Sequence, residues 1–391
     1  RLLEAGSLTR AIEIADRERS EQSEVVKVAD VLPAEVTITS PSEAKVEQSE
    51  SKFTIRASAQ PADQPLTAMQ LLIDGRPYGP SRPIGPQPEE LAAKVEQEWT
   101  VDLPPGKYNV AVKAETNHNY ALSRPVEVTR KPAEGDPLPK LHVLSVGPLP
   151  NDETPASVSK AMAAASEGAF GSVETRVLTG EQASPEAVNA ELDRIRSQAT
   201  LADTTLIYYA GRETLDTAGH YRLLAARGNS QDPAGVWFSD HEWKRKLASI
   251  PGRVMLAVDT TRMEQQTSRD AHAGFCGSSS TESADRLDAA ASDFLRDLLT
   301  EEYGITILRG ARKATAASSQ RGASAFSRAF VEGIGGQADR DHDGTVQLHE
   351  LSRYLNERVR TLTKGQQNPV IERPQGVRSF PIAKPPAAEK P

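Results

Sequence analysis

Cysteine, aromatic residues and long hydrophobic runs are scarce in this sequence of 391 residues. Cys276 is the only cysteine, which excludes an internal disulfide and leaves the redox compartment open. No apolar stretch approaches the roughly 18 residues of a membrane-spanning helix, so we expect no membrane span. Acidic residues outnumber basic ones, 54 to 46, for a net charge of −8, and the basic residues are scattered along the chain. Such a surface repels phosphate backbones, so we expect no nucleic-acid partner.

The length allows two or three domains, each with its own hydrophobic core. The first residue is Arg1 rather than Met, which we interpret as the start of a piece of a longer protein. Residues 1–32 carry spaced leucines and isoleucines followed by an acidic and polar run. This pattern predicts a short helical segment and a linker.

An alternation of apolar and polar residues runs through residues 33–130 and predicts β-strands. Turn signals such as Asp74-Gly75 and Pro104-Pro105-Gly106 separate these strands. Six or seven short strands over about 100 residues indicate a β-sandwich that resembles bacterial immunoglobulin-like modules. The segment has no catalytic cluster, and we interpret it as a spacer or an adhesion-type module. Residues 131–140 are rich in proline and are expected to form a stiff linker.

Residues 141–384 follow a different pattern, in which short apolar strands alternate with helices. One predicted helix spans residues 185–199, with a proline in its first turn and Ser184 as the N-cap. Alternation of this kind predicts a three-layer α/β domain whose mostly parallel sheet is covered on both faces. The expected fold class is therefore multi-domain, an all-β sandwich followed by an α/β domain. Ligands of such parallel sheets bind at the carboxyl ends of the strands.

Two strand ends in this second part carry a family signal. The segments Leu206-Ile-Tyr-Tyr-Ala-Gly-Arg212 and Val254-Met-Leu-Ala-Val-Asp-Thr-Thr261 are similar to the two catalytic strands of the caspase/metacaspase superfamily of cysteine endopeptidases. Their last residues are separated by about 50 positions, the interval between His and Cys in caspases. The resemblance extends from Leu141 to about Ala383 and implies a caspase-like fold. Similar bacterial proteins often carry β-rich modules in front of this domain, so we expect a soluble protein of the bacterial cytoplasm or cell envelope.

The resemblance implies a framework that has lost its catalytic dyad. Arg212 stands where the family has its catalytic His, and Thr261 stands in the place of the nucleophilic Cys. An arginine side chain, with a pKa above roughly 12, stays protonated and cannot act as a base. A threonine hydroxyl is far less acidic and less nucleophilic than a thiol. Without the resemblance, Arg212 is simply a surface cation paired with Glu213 or Asp259, and Thr261 is a β-branched residue at a strand end.

A cleft at these strand ends can bind a ligand even without catalysis. Asp259 corresponds to the family's acidic residue just before the nucleophile, which helps metacaspase-like members to accept a basic side chain. The resemblance therefore implies a peptide or protein partner at the strand-end cleft. An active cysteine endopeptidase is the alternative, in which Cys276 and His220 converge on the cleft from new directions.

Residues 339–350 fit the twelve-residue calcium loop of an EF-hand at every expected position. Carboxylates occupy positions 1, 3 and 5, and a glycine at position 6 allows the sharp turn. A backbone carbonyl at position 7, a residue that can hold a water at position 9 and a bidentate carboxylate at position 12 complete the set. The predicted ligands are Asp339, Asp341, Asp343, Thr345, Gln347 and Glu350. We therefore expect Ca²⁺ as a cofactor, with an acidic, solvated turn between two helices as the alternative.

The sequence contains one loop of this kind, although EF-hands commonly work in pairs. Val346 at position 8 is the apolar residue that usually pairs with a partner loop. Helical spacing flanks the loop in residues 324–334 and 349–361. We expect an isolated loop to bind calcium weakly or to act as a structural clip. Residues 385–391 are expected to be disordered.

Three functional classes follow from these patterns. The leading hypothesis is a catalytically degenerate caspase-like protein that binds a peptide or protein partner and carries a calcium loop. The second is an active cysteine endopeptidase of the same family. The third is a calcium-stabilised structural module without a ligand in the cleft. The sequence leaves the oligomeric state open.

Overall fold

The computed structural model describes residues 32–62, 64–85, 94–166, 168–216, 219–226, 236–262, 279–300, 302–310, 323–374 and 377–385. A part made of β-sheets comes first, and a part in which strands and helices alternate follows it. Residues 1–31 of the predicted segment 1–32 and residues 386–391 of the predicted tail 385–391 lie outside the described residues, as does Cys276.

Strands alone build the first part, called here the β-module. Its strands are β1 Glu35–Ser40, β2 Lys45–Gln48, β3 Lys52–Gln60, β4 Ala68–Ile73, β5 Arg76–Pro77, β6 Arg82–Pro83, β7 Val95–Asp102, β8 Gly106–Glu115, β9 Tyr120–Leu122 and β10 Val126–Arg130. They form a three-stranded sheet, β1-β3-β7, and a seven-stranded sheet whose main path is β2-β10-β8-β4-β5. Six or seven strands were expected. The additional ones include the two-residue strands β5 and β6, which are too short for an alternating pattern to reveal.

Side chains from both sheets meet in one core, which gives the β-module a sandwich-like architecture. Along β8 the even-numbered residues from Tyr108 to Ala114 are buried and the odd-numbered ones are partly exposed, the period of two that a half-buried strand requires. Ile55 and Trp99 from the first sheet pack with Leu71 and Val112 from the second. Burial of an aliphatic side chain of this size stabilises the fold by about 1.5–3 kcal/mol.

Strands and helices alternate in the second part, called here the α/β part. Its strands are β11 Lys140–Gly147, β12 Ser172–Thr179, β13 Thr204–Leu215, β14 Tyr221–Ala225, β15 Val236–Ser239, β16 Arg253–Arg262, β17 Thr306–Arg309, β18 Val346–Gln347, β19 Val370–Glu372 and β20 Pro381–Ala383. Its helices are α1 Thr154–Ser166, α2 Pro185–Gln198, α3 Asp240–Ser249, α4 Ser279–Leu299, α5 Ala325–Glu332 and α6 Leu348–Leu362. A 3-10 turn spans Gly180–Gln182, and a π-helical turn at Gly333–Gln337 follows α5.

The main sheet of the α/β part has the order β12-β11-β13-β16-β17-β19. The first five of these strands are parallel to their neighbours, and β19 is antiparallel to β17. The hairpin strand β14 returns antiparallel to the end of β13, and β15 pairs with β14. The sheet is therefore mixed and mostly parallel, as the alternation of strands and helices predicts.

Helices cover both faces of this sheet. Helix α2 begins where the sequence predicts, with Ser184 as the N-cap whose Oγ accepts a hydrogen bond from Ala187 N at 3.3 Å. Together with α3 and α4 it covers one face, through residues such as Leu192 and Trp243. Helices α1, α5 and α6 cover the other face, through residues such as Met162 and Leu355. None of the helices in the described ranges has both the length and the apolar character that a bilayer crossing requires.

The β-module packs against the edge of the main sheet where the parallel strands begin. Arg76 of β5 donates hydrogen bonds to the carbonyl oxygens of Leu247 at 3.0 Å and Ala248 at 2.9 Å, at the end of α3. The Arg76 side chain is buried, and this burial lowers its pKa to about 10. Arg253, the first residue of β16, forms an ion pair with Asp74 at 2.8 Å. We call this surface the amino edge.

Backbone also meets backbone at the amino edge. Gly304 has φ +64, and a Cβ atom at this position would lie 2.4 Å from the carbonyl oxygen of Gly75. Any side chain at residue 304 would therefore push the two parts of the molecule apart. The opposite edge, where the parallel strands end, carries the polar residues described next.

Candidate functional site

Positions 212 and 261 lie side by side at the carboxyl ends of two neighbouring parallel strands. β13 and β16 pair in parallel from Thr204 with Arg253 onwards, and this register makes Arg212 and Thr261 direct partners. The Arg212 side chain is exposed. The two positions that correspond to the caspase His and Cys by resemblance therefore lie together. They lie at the sheet edge where ligands of parallel sheets bind.

Glu213, next to Arg212, belongs to a buried polar cluster under this edge. It is fully buried and accepts hydrogen bonds from the hydroxyls of Tyr221 at 2.6 Å and Thr260 at 2.7 Å. Arg309, at the end of β17, is only 3% exposed and places Nη2 3.3 Å from Glu213 Oε1. The cluster ties together the ends of β13, β14, β16 and β17.

This cluster was missed by the sequence analysis, and it changes the expected surroundings of Arg212. Glu213 had been considered as a partner for Arg212, but its carboxylate is directed to Arg309 instead. Within the described residues there is no ion pair between Arg212 and either Glu213 or Asp259. For Glu213 the physical reason is the strand period of two, which directs consecutive residues 212 and 213 to opposite faces of the sheet. The sequence signal that could have revealed this cluster is Arg309, which ends the otherwise apolar strand β17.

Asp259 lies on the other face of the sheet, near the end of β16. Its Oδ2 accepts a hydrogen bond from Tyr208 OH at 3.2 Å and a short one from Ser324 Oγ. Burial raises the pKa of Asp259 to about 6, although both hydroxyl donors act in the opposite direction, and the nearby charge of Asp152 adds to the increase. The carboxyl is therefore protonated more readily than an ordinary aspartic acid, and a cation beside it would favour its ionised form.

Ser324 connects Asp259 to the helix α5. Its Oγ also accepts a hydrogen bond from Ser327 N at 3.0 Å and so caps the N-terminus of α5. A cavity of about 210 Å³ lies beside this cap, between the N-terminal turn of α1 and α5. It is lined by Thr154, Ser157, Val158, Ala323, Ser327, Arg328, Val331 and Glu332. This volume is below the roughly 300–1,000 Å³ of pockets for small-molecule ligands, so it suits a single side chain better.

Three carboxylates form a second candidate site in the loop 339–350, called here the acidic loop. Ligand atoms of Asp339, Asp341 and Asp343 all lie within 4.8 Å of one another. Asp341 and Asp343 are exposed, whereas Asp339 is partly buried and its Oδ1 is a buried atom without a hydrogen-bond partner among the described residues. This group of hard oxygen atoms could bind a metal ion.

The backbone of the acidic loop curls around these carboxylates. Gly344 has φ +82, in the left-handed region that glycine enters without strain. Its N–H donates to Asp339 Oδ2 at 3.0 Å, and the N–H of Thr345 donates to Asp343 Oδ1 at 2.7 Å. The N–H of Asp343 donates to Asp341 Oδ1 at 3.2 Å. Backbone amides thus hold all three carboxylates in place.

Glu350 closes the acidic loop from the first turn of α6. The residue is only 4% exposed. Its Oε1 accepts a hydrogen bond from Arg340 N at 3.0 Å, and its Oε2 accepts one from Gln347 N at 2.9 Å. The two ends of the loop are therefore held together by this carboxylate. Its bonds to two amides differ from the bidentate metal contact that the sequence predicts, which stays a prediction.

The residues of the alternative peptidase hypothesis are only partly described. His220 is exposed on the turn between β13 and β14, where its Nδ1 lies 3.2 Å from Asp216 Oδ2. Cys276 lies outside the described residues. The convergence of Cys276 and His220 therefore stays a prediction.

Known proteins give only distant likenesses of fold. No protein-family model matches the sequence, and the search of curated proteins gives no significant match. Fibronectin(III)-like modules of CbhA from Clostridium thermocellum are 24% identical over 27% of this chain and 50% of that chain, with a TM-score of 0.21. The chain thus covers half the length of that structure.

Two further solved structures are also similar to the chain. A Geobacter sulfurreducens protein is 12% identical over 60% of this chain and 93% of its own, with a TM-score of 0.39. An endo-β-1,4-mannanase from Thermotoga petrophila is 8% identical over 30% of this chain and 23% of its own, with a TM-score of 0.20. The matches thus include a fibronectin(III)-like module and a protein that spans an α/β region, without a family assignment.

Proposed function

We propose that this protein is a catalytically degenerate caspase-like scaffold that binds a peptide or protein at its strand-end cleft and holds Ca²⁺ in its acidic loop. The observation that carries the first half is the register of Arg212 with Thr261 at the ends of two parallel strands. A nucleophile and its base must be neighbours, and these two positions are neighbours with residues that cannot perform the two tasks. The β-module, resembling immunoglobulin-like modules, serves as a spacer for this domain.

Arg212 and Thr261 cannot perform the roles of the base and the nucleophile of a cysteine endopeptidase. The base must accept a proton from the nucleophile and return it to the leaving amine. Arg212 has no free lone pair with which to accept a proton. The hydroxyl of a threonine such as Thr261 is a poor nucleophile without a base beside it. Binding without cleavage is the function that this pair supports.

Asp259 makes a basic side chain the favoured ligand of the cleft. Its carboxyl is held in a site where burial raises its pKa to about 6, so a cationic partner would stabilise the charged form. A cavity of about 210 Å³ beyond Ser324, lined by its hydrogen-bond partner Ser327 and not by Asp259, has room for one side chain. We infer that the ligand presents a lysine or arginine residue.

Fluorescence polarisation with labelled peptides that end in Arg, Lys or Asp tests this cleft, with a fluorogenic set of the same peptides for turnover. We expect binding of the basic peptides, loss of most of this binding in Asp259→Asn, and no turnover. Asp293→Asn, an exposed substitution on α4, is the matched control. Turnover that disappears in Cys276→Ala would establish the active endopeptidase instead. Calcium binding with no peptide binding would favour a calcium-stabilised structural module.

Calcium in the acidic loop is supported by the chemistry and spacing of its oxygen atoms. Three carboxylates within 4.8 Å repel one another unless a cation lies between them. Asp339 contributes a buried oxygen without a hydrogen-bond partner among the described residues, and such an atom gains most from a cation. Thr345, Gln347 and Glu350 supply the remaining predicted ligands of a twelve-residue calcium loop.

Calorimetric titration with CaCl₂ measures this binding directly. We expect heat of binding in the parent protein and an affinity at least about tenfold weaker in Glu350→Gln, because a neutral amide loses one of the charged ligands. Glu186→Gln, in which an exposed glutamate of α2 on the other face of the sheet is changed in the same way, should bind as the parent does. No heat in the parent protein would exclude the calcium site.

A further inference from the structure

The acidic loop has a partner strand that comes from the same chain. Its residues Val346–Gln347 form β18, which pairs antiparallel with β20, Pro381–Ala383. Val346 lies opposite Ala383, and the N–H of Leu348 donates to the carbonyl oxygen of Phe380 at 3.0 Å. We call residues 377–385 the C-terminal segment. This segment takes the place that a second loop would occupy beside Val346.

Further contacts fix the C-terminal segment to the end of the acidic loop. Ser379 Oγ accepts a hydrogen bond from His349 N at 3.0 Å and lies 2.9 Å from His349 Nδ1. Phe380 and Ile382 are buried in the same core as Val346 and Leu348. The segment therefore contacts the acidic loop through backbone, polar side chains and apolar side chains.

The other contacts of the C-terminal segment reach away from the loop. Lys384 N donates to Ala165 O at 2.6 Å, at the end of α1. Arg378 forms an ion pair with Glu127 of the β-module at 2.7 Å. The guanidinium of Arg253, which also pairs with Asp74 of the β-module, lies 5.4 Å from the ring centre of Phe380. One short segment thus contacts the acidic loop, α1 and the β-module.

We propose that the C-terminal segment is an intrachain substitute for a second calcium loop, and that calcium binding and docking of this segment strengthen each other. This inference rests on the calcium site proposed above. Residues 346–348 lie among the predicted ligand positions 345, 347 and 350, and their backbone is fixed by β20. A loop fixed in advance loses less conformational entropy when it binds an ion. By linkage, the ion must then tighten the segment by the same factor.

Hydrogen exchange on the full chain, with and without CaCl₂, tests the coupling without any substitution. We expect calcium to slow exchange in peptides that cover residues 377–385 by about tenfold, and to leave β12 at the far side of the main sheet unchanged. The slowing should be lost in Glu350→Gln. A second measurement compares the calcium affinity of two truncated chains. One ends at Pro374 and the other, the matched control, ends at Pro385.

The chain that ends at Pro374 should bind calcium about tenfold more weakly, and the control should bind as the full chain does. Calcium binding in the full chain with unchanged exchange of residues 377–385 would overturn the coupling and leave the calcium site standing. Absence of calcium binding in the full chain would overturn the calcium site itself, and the coupling with it. If the shorter chain does not fold, the exchange measurement on the full chain decides.

Discussion

Two aspartates at opposite ends of the main sheet have pKa values shifted in opposite directions. Asp203, just before β13 at the amino edge, has a lowered pKa. Burial raises it, but the nearby His142 ring and the N–H groups of Lys140 at 2.6 Å and Thr200 at 2.8 Å outweigh that effect. Asp259, near the end of β16, has only hydroxyl donors among the described residues, and burial raises its pKa to about 6.

The difference separates an edge that stabilises the fold from the edge at which we propose that a ligand binds. At the amino edge, backbone amides favour the ionised carboxylate, and the β-module covers the surface through Arg76 and the Asp74–Arg253 pair. At the carboxyl edge, a carboxyl group is kept where its charge is unfavourable, on the strand next to an exposed arginine. An ionisable group whose charged form destabilises the fold is typical of a ligand-binding or catalytic site.

Replacing Arg76 should give the largest loss of stability. In Arg76→Ala the carbonyl oxygens of Leu247 and Ala248 lose their donor at the end of α3, and the contact between the two parts of the molecule weakens. We expect the free energy of unfolding to fall by about 3 kcal/mol, as for other buried hydrogen-bond networks. Calorimetric unfolding measures the change. Arg56→Ala, an exposed arginine of the same β-module, is the control and should change stability by less than about 0.5 kcal/mol. A similarly small effect of Arg76→Ala would show that the amino edge does not depend on this side chain.

Asp259→Asn should instead stabilise the protein at neutral pH. The folded pKa of about 6 exceeds the ordinary value of 3.8, so the native state binds the proton more tightly than the unfolded state does. Stability should therefore fall as the pH rises from about 4 to about 6, and the loss persists above pH 6. The asparagine variant has no such loss, and we expect a gain of about 2 kcal/mol at pH 7.

Urea unfolding of Asp259→Asn and of the parent protein at pH 4 and pH 7 tests whether the substitution raises the free energy of unfolding. The two proteins should differ clearly at pH 7 and much less at pH 4. A variant that is less stable than its parent at pH 7 would contradict the raised pKa. Combined with weaker binding of basic peptides, a gain in stability would mark Asp259 as a residue kept for a ligand.

Local patterns in the sequence predict the elements well, because period and turn chemistry are local properties. The alternation in β8 and the Ser184 cap follow from short segments, whereas Arg212 and Thr261 were associated only by the caspase resemblance. The spacing of Asp339, Asp341 and Asp343 likewise predicts their cluster. Such signals need no knowledge of the tertiary structure.

Contacts between distant segments could not be predicted in the same way. Arg76 meets α3 across more than 170 residues, and nothing near it in the sequence indicates a helix end as its partner. The buried pair of Glu213 with Arg309 and the pairing of Val346 with Ala383 have the same character. Each depends on how separately formed elements pack, which a single sequence does not encode in any one window.

Asp203→Asn gives the smallest expected effect and sharpens the contrast between the two edges. Because the folded pKa of Asp203 is lowered, its ionised form stabilises the protein above the ordinary value of 3.8, and this contribution is lost as the pH falls through the folded pKa. We expect the variant to lose about 1 kcal/mol at pH 7, since asparagine has one acceptor oxygen and can accept only one of the hydrogen bonds from Lys140 N and Thr200 N. The difference from the parent should shrink below pH 3. Asp293→Asn, exposed on α4, should leave stability nearly unchanged at both pH values. If Asp203→Asn raised stability at pH 7 as Asp259→Asn is expected to do, the two ends of the sheet would not differ, and the carboxyl edge would lose its electrostatic distinction.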